Sequence, residues 1–350
     1  MCYSMQKQNR GNIMSEKKYN VAIVGATGLV GGTFLKVLEE ENFPIDKLVL
    51  LASSKSKGKI IKFRGKDYVV AELNENSFEG IDLALFSAGA SVSKIYAPIA
   101  ESKGAVVIDN SSCFRQDLDK ALIVPEVNPD DADPKKGYSK IIANPNCSTI
   151  QAIVPLKPLD EKYGLKRVVY TTYQAVSGSG MKGILDLEKG LKGEECTFYP
   201  YNIATTCIPE IDVALDNGYT KEEMKMVNET RKMLHKPDLK ISATCVRVPV
   251  KNCHAVSIMV ELEKEFEVED VKELIKNYEG LVLVDDLKNH KYPVSELANG
   301  NNLVYVGRIR RDLSCDNGLL LYTVADNIRK GAASNAVQIA KYMDEQGWIK

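Results

Sequence analysis

The segment that most restricts the fold lies near the N-terminus, where an apolar run is followed by three spaced glycines and then by a helical pattern. The apolar run is Tyr19–Val24, the glycines are Gly25, Gly28 and Gly31, and the helical pattern continues to about Glu40. A strand, a glycine turn and a helix in this order begin a βαβ unit, whose parallel strands need helices on both faces. We therefore expect a parallel sheet at the start of the chain.

The first half of the chain repeats this alternation of apolar strands and helices. Further strands are predicted at Lys47–Ala52, Ile81–Ser87, Ala105–Asp109, Ala121–Val124 and Lys140–Ala143. Continuous apolar strands of this kind are typical of a sheet that is covered on both faces. We expect an α/β fold that contains a Rossmann-type dinucleotide-binding domain.

The second half of the chain has longer strands with more alternation of apolar and polar residues. These strands are predicted at Arg167–Ala175, Lys240–Val250, His254–Leu262, Leu281–Val284, Leu303–Arg310 and Leu319–Val324. Turn sequences at residues 251–252 and 316–318 indicate connections between neighbouring strands, so this sheet should be partly antiparallel. Helices are predicted at Met181–Lys192, Thr220–Leu234 and Ala332–Gln346.

These patterns predict a division of the chain into three parts. Residues 1–18 form a polar, disordered extension, residues 19–145 and 328–350 form the dinucleotide-binding domain, and residues 146–327 form an α+β domain with a mixed sheet. With 350 residues the chain is long enough for two cores. The chain crosses between the domains near residues 147 and 327, so we expect the active site in the cleft.

Composition and charge exclude several classes of function. The net charge is −1, which gives no field to attract nucleic acid or an anionic membrane. No apolar stretch reaches the roughly 20 residues that span a bilayer, and the N-terminus lacks the apolar centre of a signal peptide. The eight cysteines show no CxxC spacing, so we expect free thiols in a reducing cytoplasm and no bound metal.

One cysteine occupies a position that favours chemistry. Cys147 follows the apolar run Ile141–Ala143 and Pro145, where a helix is predicted to begin. Unpaired backbone N–H groups and the helix dipole favour a thiolate in a first helical turn, and they could also hold an oxyanion. The chain is therefore predicted to carry a cysteine nucleophile here, although a buried structural cysteine is the usual alternative.

The glycine loop and the end of the next strand indicate a nucleotide cofactor. Glycines at such a turn let the backbone approach a pyrophosphate that rests on the helix N-terminus. An acidic residue at the end of the second strand would indicate NAD, but this chain has Ser53, Ser54 and Lys55 there. Hydroxyl and ammonium groups suit a 2′-phosphate, so NADP is predicted.

Six segments taken together resemble the aspartate-β-semialdehyde dehydrogenase family. They are Gly25–Gly31, Asp109–Arg115, Asn144–Thr149, Tyr173–Gly180, Val246–Ile258 and Ala325–Asn335. The resemblance implies reduction of L-aspartyl-4-phosphate by NADPH to L-aspartate 4-semialdehyde and phosphate, on the route to lysine, threonine, methionine and isoleucine. It also implies a homodimer or homotetramer whose second domain is the catalytic and dimerisation domain.

The resemblance implies a role for each residue of the site. Cys147 attacks the acyl phosphate to form a thioester, His254 is the acid and base, and Arg247 holds the α-carboxylate. Glu229 binds the substrate ammonium and Lys232 the phosphate. The remaining implied contacts are Arg115 at the phosphate, Gln174 and Asn146 at the reacting centre, and Gly25, Thr27, Gly28, Leu29, Val30, Gly31, Ser53, Ser54, Lys55, Ser87, Ala88, Gly89, Ser177, Gly178 and Asn327 at the cofactor.

Two alternatives stay open at this point. Glu222 and Lys225 have the same spacing as Glu229 and Lys232 on one predicted helix, so either pair could be the substrate pair. An acyl-thioester reductase such as a malonyl-CoA reductase would use the same cysteine chemistry. A paralogue that only binds would be expected to lose the thiol or the histidine, and this chain keeps both.

Overall fold

The computed structural model describes residues 17–349, which form two six-stranded sheets and one small hairpin. The strands are β1 (Tyr19–Val24), β2 (Ile45–Ala52), β3 (Ile60–Phe63), β4 (Lys66–Val69), β5 (Ala71–Glu72), β6 (Leu83–Phe86), β7 (Val106–Asp109), β8 (Ile141–Ala143), β9 (Leu165–Gln174), β10 (Lys240–Arg247), β11 (His254–Leu262), β12 (Leu281–Leu283), β13 (Val304–Arg311) and β14 (Gly318–Ala325). The predicted extension, residues 1–18, lies outside the described part except for its last two residues.

Eight α-helices accompany these strands in the described part of the chain. They are α1 (Leu29–Glu40), α2 (Ala90–Ser102), α3 (Cys147–Tyr163), α4 (Met181–Leu191), α5 (Lys221–Met233), α6 (Val268–Lys276), α7 (Ser295–Ala298) and α8 (Ser334–Glu345). A single π-helical turn, Arg329–Ala333, leads into α8. None of the helices within residues 17–349 has the length and apolar character needed to cross a bilayer.

The first sheet is parallel throughout, in the order β5-β2-β1-β6-β7-β8. Ile23 shares a core with Phe34 of α1 and Val337 of α8 on one face. Val24 packs in a second core, on the other face, with Ala97 of α2. The predicted doubly covered sheet is therefore confirmed. The predicted strand at residues 121–124 is wrong, because that segment makes only an isolated bridge to β8.

The second sheet is mixed, in the order β10-β9-β11-β14-β13-β12. The turn at residues 316–318 joins the antiparallel neighbours β13 and β14, as predicted. The turn at residues 251–252 does not join neighbours, because β9 lies between β10 and β11. The segment after β10 instead passes over the end of β9, where the N–H of Val248 donates to Gln174 and the N–H of Ser177 donates to Lys251.

Helix α3 lies between the two sheets. Its residues Ile150 and Val154 belong to the core that contains Ala84 of the first sheet and Ile258 of the second. A helix that is buried on nearly all sides is held by two layers at once. The first residue of α3, Cys147, is thereby placed where the two sheets meet.

The two faces of the second sheet have different surroundings. Gln174 and Arg247 are buried on the inner face, which α3 and α5 cover. The preceding position on each strand faces outward, and there Val246 pairs with Tyr173, which in turn pairs with Ala255. Tyr173 is 39% exposed, so this outer face is open in the single chain.

Candidate active site

Cys147 begins helix α3 and is held by its neighbours on both sides. The side chain of Asn146 caps the helix, and its Oδ1 accepts hydrogen bonds from the N–H groups of Ser148 at 2.9 Å and Thr149 at 3.3 Å. On the other side a Cβ added to Gly331 would lie 3.0 Å from the Cβ of Cys147. The nucleophile is therefore fixed by a capped helix and by close backbone contact with the π-helical turn.

The surroundings of Cys147 favour the protonated thiol, which differs from the sequence-based expectation. Desolvation and the nearby carboxylate of Glu222 raise its pKa to about 11, although Arg115, Arg247 and Lys225 act in the opposite direction. Two N–H groups of the first turn are already used by the Asn146 cap. The helix terminus therefore does not overcome the cost of placing a charge in a desolvated site.

Glu222 connects the residues around the cysteine. Its Oε1 accepts hydrogen bonds from the side-chain amides of Asn146 at 2.8 Å and Gln174 at 3.0 Å, and its Oε2 pairs with Lys225 at 2.9 Å. Burial disfavours the ionised carboxylate, but Lys225 and the two amides outweigh that cost and lower the pKa of Glu222 to about 2. A fixed negative charge therefore faces the site at all physiological pH values.

The other acid–lysine pair on α5 lies away from the site. Glu229 is fully buried, where its Oε1 pairs with Arg115 at 3.2 Å and its Oε2 accepts the N–H of Asn146 at 2.6 Å. The ammonium of Lys232 donates to the backbone carbonyls of residues 115, 117 and 120. Neither side chain lines the cavity beside Cys147. Glu222 and Lys225, the alternative pair, do line that cavity, so the geometry favours them over Glu229 and Lys232 as candidates for the substrate contacts.

Arg247 ends β10 and His254 begins β11, on the two sides of the end of β9, and both side chains are buried. The Nδ1 of His254 accepts the N–H of Ala175 at 3.0 Å, which places the ring hydrogen on Nε2. Arg247 donates through Nη1 to the carbonyl of Ala175 at 2.7 Å. The Nε2 of His254 and the Nε of Arg247 are buried without a hydrogen-bond partner among residues 17–349. Burial and the charge of Arg247 lower the pKa of His254 to about 3, so the ring is neutral.

A cavity of about 490 Å³ joins the cysteine to the glycine loop. Cys147, Gln174, Arg247, Glu222 and Lys225 line this cavity. It is also lined by residues from the cofactor prediction, namely Leu29, Val30, Ser87, Ser177, Gly178 and Asn327, of which Gly178 lies against Arg247 and His254. The predicted nucleophile and the predicted cofactor residues therefore share one continuous space.

The glycine loop has the shape that a dinucleotide needs. Gly25 has a φ of +89°, and a Cβ there would lie 2.9 Å from the carbonyl carbon of Ser87. A Cβ on Gly31 would lie 2.2 Å from the carbonyl oxygen of Gly25. Gly28 caps α1 without any side-chain hydrogen bond, so the N–H groups of the first turn face the cavity end. This cradle fits a pyrophosphate on a helix N-terminus.

The remaining cofactor residues lie around this loop. Ser53, Ser54 and Lys55 follow β2 and are exposed, and the hydroxyl of Thr27 donates to Ser56 beside them at 3.3 Å. Ala88 approaches Gly25, and Gly89 begins α2 with a φ of +91°. The side-chain amide of Asn327 donates to the hydroxyl of Ser177 at 2.9 Å, which links the segment after β14 to the segment after β9.

Several cavity residues were not among the predicted site residues, and two of them contact predicted ones. Gly331 touches Cys147, and its signal is a glycine at the start of a helical pattern, within the segment Ala325–Asn335. Asp212 pairs with Lys225 at 2.8 Å and has a φ of +69°. No periodic pattern surrounds Asp212, so sequence spacing gave no signal for it.

Comparisons with known proteins match both parts of the chain. Residues 20–134 match the family model for the semialdehyde dehydrogenase NAD binding domain, and residues 156–330 match the model for the semialdehyde dehydrogenase dimerisation domain. The chain is 55% identical to an aspartate-semialdehyde dehydrogenase of Aquifex aeolicus over 95% of this chain and 99% of that protein.

Solved structures give the same match. Aspartate semialdehyde dehydrogenase II from Vibrio cholerae, complexed with ASA, has a TM-score of 0.90 and 46% identity and covers 94% of this chain and 99% of its own. The Candida albicans enzyme, solved with NADP, has a TM-score of 0.75 and 26% identity and covers 95% of this chain and 100% of its own.

Proposed function

The chain belongs to the aspartate-semialdehyde dehydrogenase family, and on that premise we propose how its own residues perform the reaction. The enzyme is an NADP-dependent oxidoreductase that converts L-aspartyl-4-phosphate to L-aspartate 4-semialdehyde and phosphate in amino-acid biosynthesis. The observation that carries the residue assignment is the cavity that places Cys147, Glu222 and Arg247 opposite the glycine loop.

Gly25, Gly28 and Gly31 form the cradle that would hold NADP, with Leu29 and Val30 at the first turn of α1. When bound, NADPH supplies the hydride that reduces the acyl carbon. Ser53, Ser54 and Lys55 are exposed beside this loop and offer hydroxyl and ammonium groups to the 2′-phosphate. Replacing Ser53 and Lys55 together should raise the KM for NADPH more than the KM for NADH. Equal changes for the two cofactors would contradict this assignment.

Substrate binding and thiol ionisation are linked through Glu222. Its carboxylate binds the α-ammonium of the substrate, and Arg247 offers its unpartnered Nε to the α-carboxylate. Lys225, together with Arg115 at the edge of the cavity, binds the phosphate. A bound ammonium offsets the negative charge of Glu222, which removes one of the two causes that raise the pKa of Cys147. Substrate binding at Glu222 therefore favours the thiolate beside the acyl carbon.

Cys147 and His254 carry out the covalent steps. The thiolate attacks the acyl phosphate, phosphate leaves, and a thioester remains on the sulfur. Gln174 stays hydrogen bonded to Glu222 and orients the acyl group. His254 is neutral with its hydrogen on Nε2, so it can donate that hydrogen to the oxygen of the reacting carbonyl.

The test is phosphate-dependent oxidation of aspartate semialdehyde with NADP. Cys147→Ala should abolish turnover, and enzyme quenched during turnover should carry an acyl adduct at Cys147 by mass spectrometry. His254→Gln should lower kcat by about 10²-fold, as is typical when a positioned acid is removed. Normal turnover without an adduct would refute the covalent assignment. Malonyl-CoA with NADPH should give no product, because it offers no ammonium to Glu222.

Residues 19–145 and 328–350 are proposed to form the dinucleotide-binding domain, and residues 146–327 the catalytic domain. This division is supported by α8, whose Val337 packs in the same core as Val21 of β1. Limited proteolysis that releases a fragment cut near residue 146 would support it. Cleavage only inside the first sheet would contradict it.

The open outer face of the second sheet is the proposed subunit contact. It presents Tyr173 and Tyr322, whose rings lie 6.3 Å apart, beside the half-buried Met259. An exposed apolar sheet face of this kind commonly packs against a second copy. Tyr173→Glu should shift the mass measured by light scattering toward that of one chain.

The seven described cysteines are free thiols, which supports a proposed cytoplasmic location that cell fractionation can check.

A further inference from the structure

Asp212 lies beside the ammonium that is proposed to bind phosphate. Its Oδ2 contacts the Nζ of Lys225 at 2.8 Å, and both residues line the cavity next to Cys147. Its Oδ1 accepts the N–H of Val213 at 2.8 Å. The backbone of Asp212 is left-handed, with a φ of +69°, which aspartate tolerates better than most residues.

The two carboxylates on Lys225 are held in different ways. Glu222 is buried and also accepts hydrogen bonds from Asn146 and Gln174, so it is fixed in place. The side chain of Asp212 is 32% exposed, and Lys225 is the only side chain of the described residues with which it pairs. A partly exposed ion pair contributes little to stability, so this contact can be exchanged.

The segment that carries Asp212 is anchored on both sides of it. Ile208 exchanges two backbone hydrogen bonds with Arg247, at 2.9 and 2.8 Å. Beyond Asp212, the N–H of Lys221 donates to the carbonyl of Val213 at 2.8 Å. The position of Asp212 beside Lys225 is therefore built into the fold and is independent of any bound molecule.

We propose that Asp212 is an exchangeable counter-ion, which pairs with the Lys225 ammonium until a phosphate displaces it. This inference rests on the proposed phosphate role of Lys225. The carboxylate of Asp212 adds a second negative charge beside Lys225, next to that of Glu222, and repels an incoming anion, so phosphate must displace it. Asp212 thereby weakens phosphate binding and favours release of the phosphate that leaves the acyl group.

The test is Asp212→Asn, because asparagine keeps the shape and tolerates the same φ but removes the charge. Phosphate saturation is measured in the oxidative direction at fixed aspartate semialdehyde and NADP. The KM for phosphate should fall about 2- to 5-fold, which corresponds to removing a partly exposed ionic competitor. Asp216→Asn is the matched control on the same loop, because Asp216 is exposed and makes no side-chain hydrogen bond to the described residues; its KM should not change.

A second measurement separates this inference from the proposed function. Inorganic phosphate should protect Cys147 from iodoacetamide, and Asp212→Asn should lower the phosphate concentration that gives half protection. In a Lys225→Met background the Asp212 change should have no effect. An unchanged or raised phosphate requirement in Asp212→Asn would overturn the counter-ion role. If the wild-type enzyme showed no phosphate-dependent turnover and no protection, the proposed function would fail instead.

Discussion

The two ends of helix α5 carry the same pair of residues with opposite environments. Glu222 and Lys225 lie near its start and line the cavity. Glu229 and Lys232 lie near its end, where Glu229 pairs with Arg115 and Lys232 donates to backbone carbonyls. Each pair has a spacing of three, which places both members on one side of the helix. The difference shows that helical spacing can identify an acid–lysine pair but not its function. The function depends on which residues the rest of the fold brings into contact with the pair.

The largest expected effect is on stability, at the end of α5. Glu229→Gln leaves the buried guanidinium of Arg115 without its charge partner, which should lower the free energy of unfolding by about 3–5 kcal/mol. Urea unfolding measures this change. Glu269→Gln is the control, because Glu269 pairs with Lys272 at the same spacing on exposed α6 and should change stability by less than about 0.5 kcal/mol. A similarly small change for Glu229→Gln would remove the contrast.

The next effect is on activity, at the start of α5. Glu222→Gln keeps the shape of the side chain but removes the charge that is proposed to bind the substrate ammonium. It should lower kcat/KM for aspartate semialdehyde by about 10²-fold, with a smaller loss of stability than Glu229→Gln. Steady-state kinetics and unfolding on the same preparation make the comparison. Unchanged kinetics with a large stability loss would assign both glutamates to structure.

A smaller effect should appear in the reactivity of the cysteine. The Glu222 carboxylate raises the pKa of Cys147, so Glu222→Gln should lower that pKa from about 11. Below its pKa, a thiol gains about tenfold more thiolate for each unit by which the pKa falls. Alkylation of the substrate-free enzyme at pH 8 should therefore become several-fold faster. A slower rate would show that the hydrogen bonds of Glu222, rather than its charge, control the thiol.

The smallest effect concerns the two lysines. Lys232→Gln removes a charged donor from three backbone carbonyls at a half-buried position, which should cost about 1 kcal/mol of stability without changing the KM for phosphate. Lys225→Gln should instead raise that KM. The same unfolding and phosphate saturation measurements apply to both variants. If Lys232→Gln raised the phosphate KM, the original assignment of this lysine would regain support.

Much of the fold follows from local pattern. The glycine loop, most of the apolar strands and the hairpin at residues 316–318 each depend on neighbours in sequence, and these were predicted. The strand predicted at residues 121–124 is wrong, and the short strands β3, β4 and β5 were not predicted. Another failure concerns a contact across a long distance in sequence. Residues 251–252 look like a hairpin turn, but β9 occupies the place between the flanking strands, and no local pattern encodes that insertion.

The candidate site also contains some features that the sequence predicts and others that depend on the packed structure. Cys147 was predicted from its place at a helix start, whereas the role of Asn146 as the helix N-cap comes from the structure. The raised pKa of the thiol could not be predicted, because it depends on desolvation and on Glu222, which lies 75 positions away in sequence. Gly331 likewise contacts Cys147 only in the folded molecule, because the two residues are far apart in sequence. Desolvation and close approach are properties of the packed molecule.

Side chains alternate between the two faces of the second sheet along β9 and β10. Gln174 faces the reacting centre while Tyr173, one peptide bond away, faces outward, and Arg247 and Val246 repeat the arrangement on the adjoining strand. An insertion of one residue in either strand would exchange the two surfaces and destroy both, so the length of these strands is as tightly constrained as the chemistry itself.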